Sequence, residues 1–169
     1  LPICRTTAWA NHRKAHPGYD NILSFMNAAT DALLFTQTFT VLAEAAGLGT
    51  CFLGTTVYMP QMIIDTLHLP QLVMPVATLT VGWPDEKPAQ TDRLPLRSIV
   101  HSEAFDDYTP EKIDDFYAEK EALEENKEFV RTNQVETLAQ VFTDIRYTKK
   151  DCEAMSTGFM EALRKQGFI

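Results

Sequence analysis

The 169-residue chain has no uncharged apolar run of the roughly 18 residues that a bilayer-spanning helix needs, so no membrane span is expected. Positive charge is scarce: 15 Lys and Arg stand against 23 Asp and Glu, a net charge of −8. That balance argues against nucleic acid as the main partner, because phosphate backbones need a basic face. Cysteine is sparse as well. Cys4, Cys51 and Cys152 are odd in number and widely spaced, which argues against a disulfide framework and reads as small buried hydrophobes in a reducing cytoplasm. His12, His16, His68 and His101 sit at no ligand spacing with a cysteine or carboxylate, so no metal site is expected. The glycine-rich dinucleotide fingerprint, the P-loop, the serine nucleophile elbow and the paired-histidine zinc helix are all missing. Arg5, Arg13 and Lys14 surround no apolar run of signal-peptide length.

What is present is the composition of a globular protein, 45% hydrophobic and 22% charged, in a chain long enough for a real core. Leu1-Pro2-Ile3-Cys4 reads as the tail of a strand, with further sequence expected upstream. A polar stretch with the turn signal Pro17-Gly18 follows. Residues 24–46 then read as one long helix. Phe25, Leu33, Leu34, Phe35, Phe39, Val41 and Leu42 among others make it apolar nearly all round, so it should be buried nearly all round, on a sheet or on another subunit. Gly47 and Gly49 would supply left-handed positions to end it.

Residues 50–53 read as a short strand closed by Gly54-Thr55-Thr56, and residues 60–67 as a short helix opened by Pro60. Residues 73–81 are rich in β-branched side chains and stop at Gly82-Trp83-Pro84, so they read as a second strand. Residues 85–97 form a proline-rich loop. From 103 the chain turns acidic, and Thr109-Pro110-Glu111 marks a helix start, with two further helices near 134–144 and 151–166. The fold class is therefore α+β, helices covering a sheet around a long buried central helix, with a helical C-terminal extension. The composition divides the chain at 102/103 into a core and an extension that wraps the body or a neighbouring subunit.

Two candidates for chemistry are backbone-like. Gly54 ends a strand, where the lack of a side chain lets a flat group approach main-chain N–H donors. Arg93, in Thr91-Asp92-Arg93-Leu94-Pro95, offers a fork of donors suited to phosphate. Each also has a plain alternative, an ordinary turn for Gly54 and a surface charge for Arg93.

A resemblance covers nearly the whole chain in order. Asp31-Ala32-Leu33-Leu34-Phe35-Thr36-Gln37, then Ala43 through Cys51-Phe52-Leu53-Gly54, Pro75 through Gly82-Trp83-Pro84, Asp92-Arg93-Leu94-Pro95-Leu96 and Ile99-Val100-His101 resemble the nitroreductase family of FMN-dependent oxidoreductases. The ending Leu163-Arg164-Lys165-Gln166-Gly167-Phe168 is similar to that of its larger, NADPH-preferring branch. The resemblance implies an intertwined homodimer with FMN at the subunit interfaces, and the cysteine content points to a cytoplasmic location. It implies that the strand end Phe52, Leu53, Gly54 and Thr55 lies against the flavin ring with amides near N5 and O4. Arg93 matches the arginine that binds the FMN phosphate, and Thr91 stands where many relatives have lysine. An Arg/Ser-rich segment that grips the phosphate and ribityl chain lies upstream of the matched part in the family. Ping-pong hydride transfer is implied, from NADPH or NADH to flavin N5 and on to a small electron-poor nitroaromatic, quinone or flavin, with no catalytic side chain. Gln134 and Val135 stand where the NADPH-preferring branch has basic residues, and Lys127 or Arg131 could substitute. Phe52, Tyr58 and Trp83 could line a substrate pocket, or simply pack in the core. A reading from a different class remains open, a non-catalytic dimeric binding protein of the same fold.

Overall fold

The computed structural model describes residues 3–169, and the strand reading of Leu1 and Pro2 lies outside them. In chain order the elements are α1 (Ile3–His12), α2 (Ile22–Ala45), β1 (Gly49–Leu53), α3 (Pro60–Leu67) and β2 (Thr78–Gly82). A 3-10 turn at Leu96–Ser98 precedes α4 (Pro110–Ala122), α5 (Glu124–Asn133) and α6 (Leu138–Gln140). A π-helical run, Val141–Arg146, and α7 (Lys149–Lys165) complete the chain. Two compact units result: the chain up to Glu86 together with Cys152–Ile169, and Lys87–Asp151. These units divide at 86/87 rather than at 102/103, and the chain's end belongs to the first of them.

In the first unit, Ile3 and Cys4 open a helix rather than closing a strand. Ile3 and Ala10, seven residues apart, fall on one helical face and are both buried there. Asn21 caps α2, its side-chain oxygen accepting the Ser24 N–H at 2.9 Å, so the helix starts two residues earlier than its apolar pattern suggested. At about 100° per residue, Phe25, Ala29, Thr36, Thr40 and Ala43 share one meridian of α2, and Phe25, Thr40 and Ala43 are its buried residues. The helix is thus not buried nearly all round within the chain. Leu34 and Val41, on the opposite side, are 64% and 57% exposed, because a two-stranded sheet is too small to cover both faces. The threonines suit so apolar a helix because their hydroxyls donate to carbonyls one turn back, Thr36 to Ala32 at 2.7 Å and Thr40 to Thr36 at 2.9 Å.

Gly47, at φ +86°, ends α2, but Gly49 is not left-handed; it opens β1 opposite Gly82. A Cβ on Gly49 would lie 3.3 Å from the Pro84 Cβ, so close approach is what that position requires. β1 and β2 are antiparallel, in register from Gly49↔Gly82 to Leu53↔Thr78. β2 is shorter than the β-branched run: before Thr78 the chain leaves the ladder, and Met74 and Val76 pack on the core instead. That core joins Ile3, Phe25, Leu163 and Phe168, with the Phe25 ring 5.4 Å from Phe168 and 6.0 Å from Phe159. Hydrogen bonds to its backbone carbonyls hold the chain's end there: the Leu72 N–H donates to Gln166 O at 2.9 Å, and the Gln71 side-chain Nε2 donates to Lys165 O at 2.8 Å.

In the second unit, Thr109 caps α4 as its sequence suggested, accepting the Lys112 N–H at 3.4 Å, with Pro110 in the first turn. Leu123 breaks the helical run with extended backbone angles, and α5 begins immediately after it. The helix expected over 134–144 starts later: Gln134 is left-handed, and a reciprocal Thr137–Gln140 capping box opens α6. Arg146, at the end of the π-helical run, stacks its guanidinium 4.7 Å from the Phe129 ring centre. Among the described residues, no helix is long and apolar enough to cross a membrane.

Candidate functional site

The sequence-derived residues fall into two clusters, one in each unit. In the first, β1 delivers Phe52 and Leu53 to its C-terminal end, each 43% exposed, and Gly54 and Thr55 continue the exposed stretch. Thr56 turns the chain away, its hydroxyl donating to Leu53 O at 3.0 Å, and the Tyr58 N–H donates to Thr55 O at 3.0 Å. Gly54 does not have a positive φ, and a Cβ built there would meet nothing within 4 Å. The turn therefore does not require glycine for its shape, and open space lies over its Cα. Among the described residues, no hydrogen bond outside the strand ladder engages the N–H of Gly54 or Thr55. The result is an exposed strand end with amide donors and two apolar side chains, a surface suited to a flat group with acceptors on its edge. Phe52 and Trp83 do not pack in the core, Trp83 being 81% exposed, while Tyr58 is half-buried.

The second cluster is the loop Thr91-Asp92-Arg93. Arg93 is exposed and folds back on its own loop: Nη1 donates to Thr91 O at 3.2 Å, to the Thr91 hydroxyl at 2.5 Å and to Asp92 O at 2.8 Å. All of its hydrogen bonds among the described residues use Nη1, which leaves Nε and Nη2 as donors for a ligand. Thr91 therefore orients Arg93. Asp92 points elsewhere, its Oδ2 2.6 Å from Lys120 Nζ on α4, with both side chains about a quarter exposed. The Lys120 hydrogen bond is the largest influence holding the Asp92 carboxyl below its usual value. No pattern in the sequence announces that ion pair, since its partners lie 28 residues apart. Lys120 also borders a cavity of about 600 Å³ with Leu94, Ser98, Tyr108, Phe116 and Phe142.

Of the two suggested basic substitutes on α5, Arg131 is already engaged. Its Nη2 donates to Glu124 at 2.7 Å and to Glu128 at 2.6 Å, and its Nε donates to Glu128 at 2.9 Å. These contacts hold both carboxyls below the ordinary glutamate value and raise the guanidinium.

The α+β frame thus carries an exposed strand end with main-chain amides in the first unit and an arginine loop in the second. Comparison with known proteins narrows the class. No model of a protein family matches the chain. A solved structure of a Bacteroides fragilis protein assigned to the oxidoreductases is 59% identical, covering 98% of this chain and 67% of that one, with a TM-score of 0.94. An FMN reductase [NAD(P)H] of Bacillus subtilis is 37% identical over 82 residues, 48% of this chain and 33% of the relative. An oxygen-insensitive NADPH nitroreductase of Salmonella typhimurium is 31% identical over 75 residues, 44% of this chain and 31% of the relative. The chain belongs to the nitroreductase family. It spans 31–45% of the length of the curated relatives it matches first.

Proposed function

We propose that the protein is an FMN-dependent oxidoreductase that passes electrons from NADPH or NADH to a small electron-poor acceptor, a nitroaromatic, a quinone or a free flavin. The observation that carries this reading is the exposed β1 end, where Gly54 leaves open space over amides with no partner outside the ladder. The residues suit FMN on their chemistry. Acceptors on a flavin edge match the Gly54 and Thr55 N–H donors, Phe52 and Leu53 offer apolar contact, and a phosphate matches the remaining donors of Arg93. FMN, when bound, supplies the two-electron chemistry, so the chain needs no nucleophile of its own.

In this reading the amides of Gly54 and Thr55 donate hydrogen bonds that favour electron density arriving on the ring, and the turn bonds from Thr56 to Leu53 O and from the Tyr58 N–H to Thr55 O hold them just past the end of β1. Arg93 anchors the phosphate, oriented by Thr91. Residues 1–102 then supply the flavin-binding residues and residues 103–169 the helical extension, whose end belongs to the same compact unit as β1, in a homodimer. Cys4, Cys51 and Cys152 form no disulfide among the described residues, and although Cys51 and Cys152 are exposed rather than buried, such thiols suit the cytoplasm. The Bacillus and Salmonella relatives, named for FMN reductase and nitroreductase activities, support the choice of cofactor and donor.

The test is direct. Full-length protein, purified without added flavin and then titrated with FMN, should bind it and turn yellow. It should oxidise NADPH or NADH steadily with a quinone acceptor, giving the parallel double-reciprocal lines of a ping-pong scheme. A colourless preparation that takes up no FMN overturns the reading. FMN uptake without NAD(P)H oxidation favours the non-catalytic binding protein.

A further inference from the structure

The arginine proposed to hold phosphate has an acid as its immediate neighbour in the chain. An unpaired Asp92 carboxylate would attract the Arg93 guanidinium and repel an incoming phosphate, since charges a few ångströms apart at a surface interact appreciably. The structure resolves this conflict with a residue from another element. Lys120, on α4, holds Asp92 Oδ2 at 2.6 Å. Asp92's own carbonyl, meanwhile, accepts from Arg93 Nη1 at 2.8 Å. The backbone of Asp92 thus supports the guanidinium while its side chain is drawn to the lysine. The pair is about three-quarters buried on each side, so it is screened less than the more exposed ion pairs of this unit, such as Arg97–Asp115 and Arg131–Glu124.

We infer that Lys120 is a positioning residue for phosphate recognition: by taking up the Asp92 carboxylate it leaves the Arg93 guanidinium to a ligand's phosphate. This rests on the reading of Arg93 as the FMN phosphate contact and adds a residue that touches neither flavin nor substrate.

The inference has a signature that a merely structural ion pair lacks. If the pair only braces the loop, losing either partner does equal harm and losing both is no better. If Lys120 neutralises a competing carboxylate, removing the lysine alone is the harmful change, and removing the aspartate as well repairs it. The experiment measures FMN and riboflavin affinity by flavin fluorescence on full-length Lys120→Met, Asp92→Asn, the double variant, Lys120→Arg and Arg93→Ala, with thermal melts confirming that each is folded. Lys120→Met should weaken FMN roughly tenfold, equivalent to about 1.4 kcal/mol, and leave riboflavin, which has no phosphate, within about twofold. Asp92→Asn and Lys120→Arg should stay within about twofold of the parent for FMN, and the double variant should recover most of the lysine variant's loss. A double variant no better than Lys120→Met, or equal losses for FMN and riboflavin, overturns the inference. If Arg93→Ala weakens FMN while Lys120→Met does not, the inference falls and the phosphate reading stands. If Arg93→Ala leaves FMN affinity unchanged, both fall together.

Discussion

Gly54 and Gly47 are the same residue type under opposite constraints, and substitution separates them. Gly47 has φ +86°, so Gly47→Ala should destabilise the fold by about 1 kcal/mol, read from denaturant midpoints. Gly54 has neither positive φ nor a neighbour within 4 Å of a built Cβ. Gly54→Ala should therefore keep stability within about 0.5 kcal/mol, the usual range for a surface change, while FMN titration shows weaker binding as the methyl intrudes between amide and ring. Unchanged FMN affinity in that variant would place the flavin elsewhere. Arg93→Ala should cost about 1–3 kcal/mol of FMN binding, the scale of a charge-assisted hydrogen bond with its partner left unpaired. Phe25 makes the opposite case. It is buried against Phe159 and Phe168, so Phe25→Ala should remove about 3–5 kcal/mol of stability by leaving a cavity at the centre of the first unit's core.

At the scale of elements, α5 carries a pH dependence whose sign follows from its own contacts. Arg131 bonds Glu124 and Glu128, and both carboxyls titrate below the ordinary glutamate value in the folded chain. The unfolded chain therefore binds more protons across that interval. The contribution is present at neutral pH and fades as pH falls from the ordinary value through the lowered one. Urea midpoints taken between about pH 6 and pH 3 should drop further for the parent than for Arg131→Gln, and equal drops would show that the network contributes nothing. How much of these elements the sequence made legible depends on whether the signal is local. The β1 end, α3 and the Thr109 cap are readable, because Thr56 just after the strand, Pro60 and Thr109-Pro110 act within one turn of themselves. The opening of α1 reads as a strand in sequence because the helical partners of Ile3, such as Ala10, lie further along a polar run. The break at Leu123 has no breaker residue to announce it, and the Asp92–Lys120 pair arises from tertiary packing, which spacing along the chain does not encode.

For the whole molecule, the decisive feature is the far side of α2. Its core-facing stripe is used, yet Leu34, Phe35, Val41 and Leu42 on the remaining circumference are 57–73% exposed. Covering one such side chain is worth about 1.5–3 kcal/mol, and a contiguous set of them on one helix has the apolar character of obligate dimer interfaces. A monomer would present that largely apolar face to water: the threonine hydroxyls of α2 are turned back onto their own helix, and the exposed polar residues Asn27 and Asp31 lie towards its N-terminal half. The homodimer proposed above removes the difficulty by placing α2 against a second copy. In sedimentation at micromolar concentration, the full-length protein should run as a dimer without detectable monomer. The double change Leu34→Glu and Val41→Glu, on the side away from Phe25, should shift it to monomer while leaving the core contacts of Phe25 and Phe168 untouched. FMN affinity should fall in step with the loss of dimer, because the resemblance assigns the flavin to the subunit interface. A parent protein that sediments as a monomer and still binds FMN tightly would remove the dimer from this account and leave the β1 end to hold the flavin within one chain.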